Sequence, residues 1–126
     1  MVQVHKDLEV YQLAFDAAMR IFEWTKGFPK EETYSLTDQI RRASRSVCAD
    51  IAEGWRRRRY EASFVNKLNV AEAEAGETQT WLDFSVACGY LDEADRAHLS
   101  QQYDHIIGKL VTMENHPKPW IMNKRR

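Results

Sequence analysis

Two cysteines, three prolines and five glycines are few for a chain of 126 residues. Cys48 and Cys88 stand far apart with no Cys-x-x-Cys pair, which excludes a disulfide framework and a thiolate metal site. Two reduced thiols in a cytoplasmic protein are expected instead. With so few prolines and glycines, long helices have room to form. No apolar run approaches the roughly 20 residues that cross a bilayer. The opening "MVQVHKDLEV" lacks the charged-then-apolar order of a secretory signal, so no membrane partner is expected.

Catalytic signatures are missing as well. A di-iron helical bundle needs Glu-x-x-His on two of its helices, and this chain has none. Asp95, His98 and His105 offer too few ligands for a metal. Ser44 and Ser46 have no Gly-x-Ser-x-Gly setting, and the glycines never cluster into a phosphate loop. Cys48 lies among Val47, Ala49 and Ile51, apolar surroundings that suppress a thiolate. Glu53 has no second catalytic group nearby and reads as one half of an ion pair. The chain is therefore expected to be non-enzymatic, without metal or cofactor.

What is present is helical periodicity. Leu8, Tyr11, Phe15, Ala18 and Phe22 form one stripe, widened by Val10, Ala14, Ala17, Ile21 and Trp24. A stripe this broad implies contacts on more than one side. "TKGFPKEETYS" stops that helix, with Gly27 as a C-cap and Pro29 unable to continue the turn. A second helix begins near Tyr34–Asp38 and carries Leu36, Ile40, Ala43, Val47 and Ile51, with Gly54 at or near its end. The small row Ser44, Cys48 and Ala52 makes this helix central. A third runs from about Glu61 to Cys88, where Gly76 suggests a close helix–helix approach. Gly89 ends it, Asp92 caps a fourth from about Glu93 to Asn115, and "HPKPW" stops that one. Short connections between four such helices predict an all-α, antiparallel up-down-up-down four-helix bundle. A single domain over residues 1–116 is expected, followed by a basic tail, 117–126.

Charge is unevenly spread although the net is only −1. From Arg41 to Arg59, seven arginines stand against Asp50 and Glu53, a net of +5. From Tyr60 to Ser100 the net is −6. Such polarity suits an anionic partner or the meeting of opposite patches on two subunits. Arg41, Arg42, Arg45, Arg56, Arg57, Arg58 and Arg59 are the candidate phosphate contacts, with Trp55 and Tyr60 flanking the run as stacking candidates. Cations near a helix C-terminus also complement its dipole. Nucleic acid, a subunit contact and a solvated corner all stay open on this reading. Glu53 and Glu77 are assigned ion pairs that orient arginines or join helices. Tyr34, Gln39 and Ser46 are expected at helix ends or inter-helix polar contacts. Trp24, Trp55, Trp81 and Trp120 are candidates for subunit contacts or core.

The residues also carry a resemblance. Phe28-Pro29 with Glu32, Tyr34-Ser35-Leu36, Gln39-Ile40-Arg41-Arg42-Ala43, Ser46-Val47, Ile51-Ala52-Glu53-Gly54, Phe64, Ala71, Glu77-Thr78 and Gly89-Tyr90-Leu91 form one pattern, from about Leu8 to Met113. It resembles the four-helix-bundle family of proteins encoded in intervening sequences of 23S ribosomal RNA genes, which includes the accessory protein of diversity-generating retroelements. The sequence departs from the pattern at Asp50, where an asparagine is typical, and in its dense Arg56–Arg59 run. The resemblance implies a homopentameric ring with a central opening. For retroelement members it implies basic nucleic-acid binding beside a reverse transcriptase, which the acidic third and fourth segments here oppose. The combined expectation is an oligomeric RNA- or DNA-binding or scaffolding module. Its rival is a purely structural homopentamer whose arginines are consumed in inter-subunit salt bridges.

Overall fold

The computed structural model describes residues 2–122. Among them are four α-helices and no strand: α1 (Glu9–Thr25), α2 (Leu36–Arg56), α3 (Glu61–Ala87) and α4 (Glu93–Asn115). Single 3-10 turns occupy His5–Asp7 and Lys30–Glu32. Each helix packs on its sequence neighbours and α1 closes against α4, while the backbones of the diagonal pairs stay apart. This is an antiparallel four-helix bundle. No described helix is long and apolar enough to cross a membrane.

One core runs the length of the bundle. Val10, Ala14, Ala17 and Ile21 of α1 face Ile40, Val47 and Ile51 of α2, Phe64, Leu68 and Leu82 of α3, and Leu99, Tyr103, Ile106 and Leu110 of α4. The broad stripe on α1 thus resolves into two faces. The row through Val10 and Ile21 is buried, whereas Phe15 of the other row is 47% exposed with Met19 beside it at 45%.

Glycines mark where backbones close up and where they do not. A Cβ on Gly54 would sit 3.2 Å from Lys67 Cβ and 3.4 Å from Leu68 Cδ2, so glycine lets the last turn of α2 lie against α3. Gly76, expected to mark a similar approach, faces nothing within 4 Å, and that expectation is corrected. Gly89, at φ +80°, ends α3 in a Schellman arrangement: its N–H donates to the Val86 carbonyl and the Tyr90 N–H to the Ser85 carbonyl, each at 2.9 Å. Gly27 follows the Lys26 C-cap of α1 as Gly89 follows Cys88, but without a positive φ, so it does not close α1 in the same way. Asp92 holds the N-cap position of α4 without a side-chain capping bond.

The bundle's two ends differ. The α1–α2 and α3–α4 loops lie together, since the Tyr90 hydroxyl donates to Glu32 Oε2 at 2.8 Å and the Phe28 and Tyr90 rings lie 5.4 Å apart. At the opposite end are the N-terminal segment, the Arg57–Tyr60 turn and the chain beyond α4. That last stretch is not a detached tail over its described part: Trp120 and Ile121 pack on the core, and the Met122 N–H donates to the Arg58 carbonyl at 3.1 Å.

Candidate nucleic-acid interface

The seven arginines do not gather at one corner. Arg45 and Arg56 are separated by about 16 Å of helix at 1.5 Å per residue, which places one group in the first half of α2 and the other at its end. The expectation of a single cluster is corrected: eleven residues of helix are about three turns, so the two groups stand well apart along α2.

In the first group, Arg41 is used inside the fold. Its Nε donates to Thr25 Oγ1 at 2.8 Å, its Nη2 reaches the Phe22 carbonyl at 3.4 Å, and the guanidinium lies 4.8 Å from the centre of the Phe22 ring. A cation here meets the exposed carbonyls that end α1. Arg42 pairs with Asp38 one turn earlier at 2.9 Å. Arg45 is exposed and leans over the same Phe22 ring at 5.7 Å.

The second group surrounds the α2–α3 turn. Arg58 is half-buried, stacks 3.9 Å over the Trp55 ring and donates to the Trp55 carbonyl at 2.8 Å. Burial and then the Arg56 charge lower its pKa. Trp55 is 4% exposed and covered by that guanidinium, so it has no face for a nucleobase. It is corrected from stacking candidate to core residue, because its indole closes the end of the hydrophobic interior. Tyr60 is 60% exposed at the N-cap of α3. Arg57 reaches Ser63 Oγ at 3.5 Å. Arg56 and Arg59 are exposed and make no hydrogen bond or ion pair among the described residues. The outer surface of this turn is therefore Arg56, Arg57, Arg59 and Tyr60, held by the stack of half-buried Arg58 on buried Trp55.

Glu53 joins helices as expected: its carboxylate takes Lys67 Nζ of α3 at 2.7 Å. That hydrogen bond and the lysine charge hold its pKa below the usual carboxylate range. Asp50, where the related pattern has asparagine, lies 3.9 Å from the same lysine, and burial raises its pKa. Glu77 neither joins helices nor orients an arginine; it accepts from Trp81 Nε1 one turn away at 3.0 Å. Gln39 is exposed and its side chain bonds nothing among the described residues, and Tyr34 is 94% exposed. Both are corrected as helix-end contacts.

Glu32 fills that role instead. Its Oε1 accepts from the Leu36 N–H at 3.1 Å and from Ser35 Oγ at 2.6 Å, and its Oε2 from Tyr90. These bonds lower its pKa and push that of Tyr90 up to about 12. Glu32, Phe28, Ser35 and Tyr90 all belong to the pattern noted in the sequence, yet their convergence was not visible there. Burial pushes the Cys48 thiol up to about 11, in keeping with an inert cysteine. No His, Cys, Asp or Glu group among the described residues is arranged to hold a metal.

The geometry can be set beside known proteins. The family of 23S rRNA-intervening sequence proteins matches the chain over residues 6–112. The chain belongs to this family. A crystal structure of a protein of unknown function from the S23 ribosomal protein family of Bacteroides thetaiotaomicron is similar, with a TM-score of 0.75 at 26% identity. The likeness covers 84% of this chain and 95% of that one. No curated protein matches. The family match spans α1 to α3 and most of α4, and so includes both the Glu32–Tyr90 contact and the arginine turn.

Proposed function

We propose that this family member is a non-enzymatic nucleic-acid-binding module whose contact surface is the α2–α3 turn. Arg56, Arg57 and Arg59 meet phosphates, and the exposed Tyr60 ring offers a stacking face. The observation that carries this reading is the pair Arg56 and Arg59: two exposed guanidinium groups with no partner among the described residues, on a turn fixed by the Arg58–Trp55 stack. Arg41 and Arg58 leave the set because backbone carbonyls and rings already use them. The footprint is short, since the surface around the α3–α4 loop is acidic: Asp92 and Asp95 are exposed there, and Arg96 is shared between Asp83 and Glu93.

Binding of fluorescent RNA and DNA oligonucleotides measured against salt tests the reading. Three phosphate contacts give a log–log slope of about −2 on single strands and nearly −3 on duplex DNA. Arg56→Glu with Arg59→Glu abolishes binding while the particle mass is unchanged. Absence of binding at low salt defeats the proposal.

A second reading, a homo-oligomeric scaffold, is favoured by a different observation. Apolar groups stay uncovered on two faces: Phe15 and Met19 on α1, and Phe84 of α3, 51% exposed, near Tyr34. One patch meeting a different patch on the next copy generates a ring or a filament. The homopentameric ring is the closed form of this proposal, and Phe15→Glu splits it into smaller particles in light scattering. The two readings are compatible, because the arginine turn lies outside both patches.

A further inference from the structure

A cavity of about 580 Å³ lies at the arginine-turn end of the bundle, on the α1–α4 side. This is the size range of small-molecule sites. Leu8 and Val10 at the start of α1, Met113 of α4 and the returning Trp120 supply apolar walls. Lys109 and His105, one helical turn apart on α4, supply nitrogen donors beside it.

Two independent features point to a ligand. The first is Gly108, which lines the cavity in the middle of α4. Glycine inside a helix is unfavourable relative to alanine. No packing requires it here, because a Cβ would meet nothing within 4 Å. What the missing side chain provides is open volume.

The second feature is a carboxylate already seated beside the cavity. Glu9 Oε1 lies 2.7 Å from Lys109 Nζ, and the glutamate side chain is 70% exposed against 31% for the lysine. An exposed carboxylate on a half-buried ammonium can swing into water and leave the cation to another anion. The remaining acidic group, Asp7, has its Oδ2 accepting the N–H groups of Gln3 and Val4, at 3.0 and 3.2 Å.

We infer that this cavity binds a small organic acid with an apolar body, whose carboxylate replaces that of Glu9 on Lys109 while its chain lies between Met113 and Trp120. The site is separate from the arginine turn and does not depend on nucleic-acid binding.

Octanoate is a suitable probe, with octanol and octylamine as partners of the same length and different charge. Binding to the full chain is followed by titration calorimetry and by tryptophan fluorescence. Octanoate is expected to bind at least tenfold more tightly than either partner. Glu9→Gln, which removes the internal competitor, raises octanoate affinity several-fold. Lys109→Met lowers it by about as much and removes the preference over octanol. Gly108→Leu fills the space and abolishes binding; circular dichroism confirms that each variant keeps its helices. Equal binding of octanoate and octanol to the unaltered protein overturns the inference, as does binding that survives Gly108→Leu. A change of particle mass in Gly108→Leu also overturns it, since the cavity would then belong to a contact between copies.

Discussion

At the end holding the α1–α2 and α3–α4 loops, polar groups meet one another. Glu32 accepts from Leu36, Ser35 and Tyr90, Tyr90 packs on Phe28, and Arg41 donates to the Thr25 hydroxyl and the Phe22 carbonyl in the last turn of α1. At the other end, Arg56 and Arg59 bond nothing among the described residues, and a cavity opens between α1 and α4. The same four helices thus end once with their loops tied together by cross-loop hydrogen bonds and once with arginine side chains that no carboxylate among the described residues engages. Polar groups that satisfy one another stabilise a fold, while those left exposed are available to other molecules.

The largest effect that would break this contrast lies where the open end is nevertheless tight. Gly54→Val pushes a branched side chain against Lys67 and Leu68 and lowers stability by about 2–3 kcal/mol, read by chemical denaturation. Glu32→Ala comes next. It strips the first turn of α2 and the Tyr90 hydroxyl of their acceptor together, so amide exchange should quicken in residues 28–36 and 88–91. A quickening confined to the arginine turn would reverse the assignment of the closed end.

A smaller effect is tied to pH. Asn69 Nδ2 donates to Glu114 Oε1 at 3.2 Å, and Glu114 Oε2 is shut off from solvent. Burial, with a hydrogen bond to Glu72, pushes the Glu114 pKa up to about 7 from 4.5. A raised carboxyl pKa means that the fold binds more protons than the unfolded chain between these values. Its stability is fully present below pH 4.5 and declines as pH rises towards 7. The lowered carboxylates, Glu9, Glu32 and Glu53, are ionised in both states over most of this window. With solvent screening the swing is about 1 kcal/mol, and Glu114→Gln flattens it in melts taken from pH 5 to 7.5. Smallest of all is Arg56→Glu with Arg59→Glu, which should change stability by no more than about 0.5 kcal/mol. A larger loss would mean that these arginines serve the fold.

Much of the fold was legible because helices repeat with a fixed period. Ile40, Val47 and Ile51, or Leu99, Tyr103, Ile106 and Leu110, announce both the element and its buried face. Element ends were read from Gly89 and from the prolines after Asn115. The candidate site was legible in composition and not in arrangement. Adjacent arginines give no sign that Arg41 and Arg58 turn inward to carbonyls while Arg56 and Arg59 do not. Trp55 beside four arginines looks like a stacking platform until its position on the inner face of α2 is known. The Glu32–Tyr90 bond joins residues 58 apart, and nothing local marks a glutamate and a tyrosine as partners. The cavity was least visible, because its walls come from the two far ends of the described chain, around Val2 to Val10 and His105 to Trp120.

Val2 and Trp120 line that one cavity. The first and last described stretches of the chain are therefore near neighbours, and a short linker could join them. A circularly permuted protein opened at the Arg57–Tyr60 turn would keep every cross-loop bond of the opposite end. One opened between Gly89 and Leu91 would cut through the residue that ties the two loops together, so the order in which the helices are threaded matters less to this architecture than where the thread is cut.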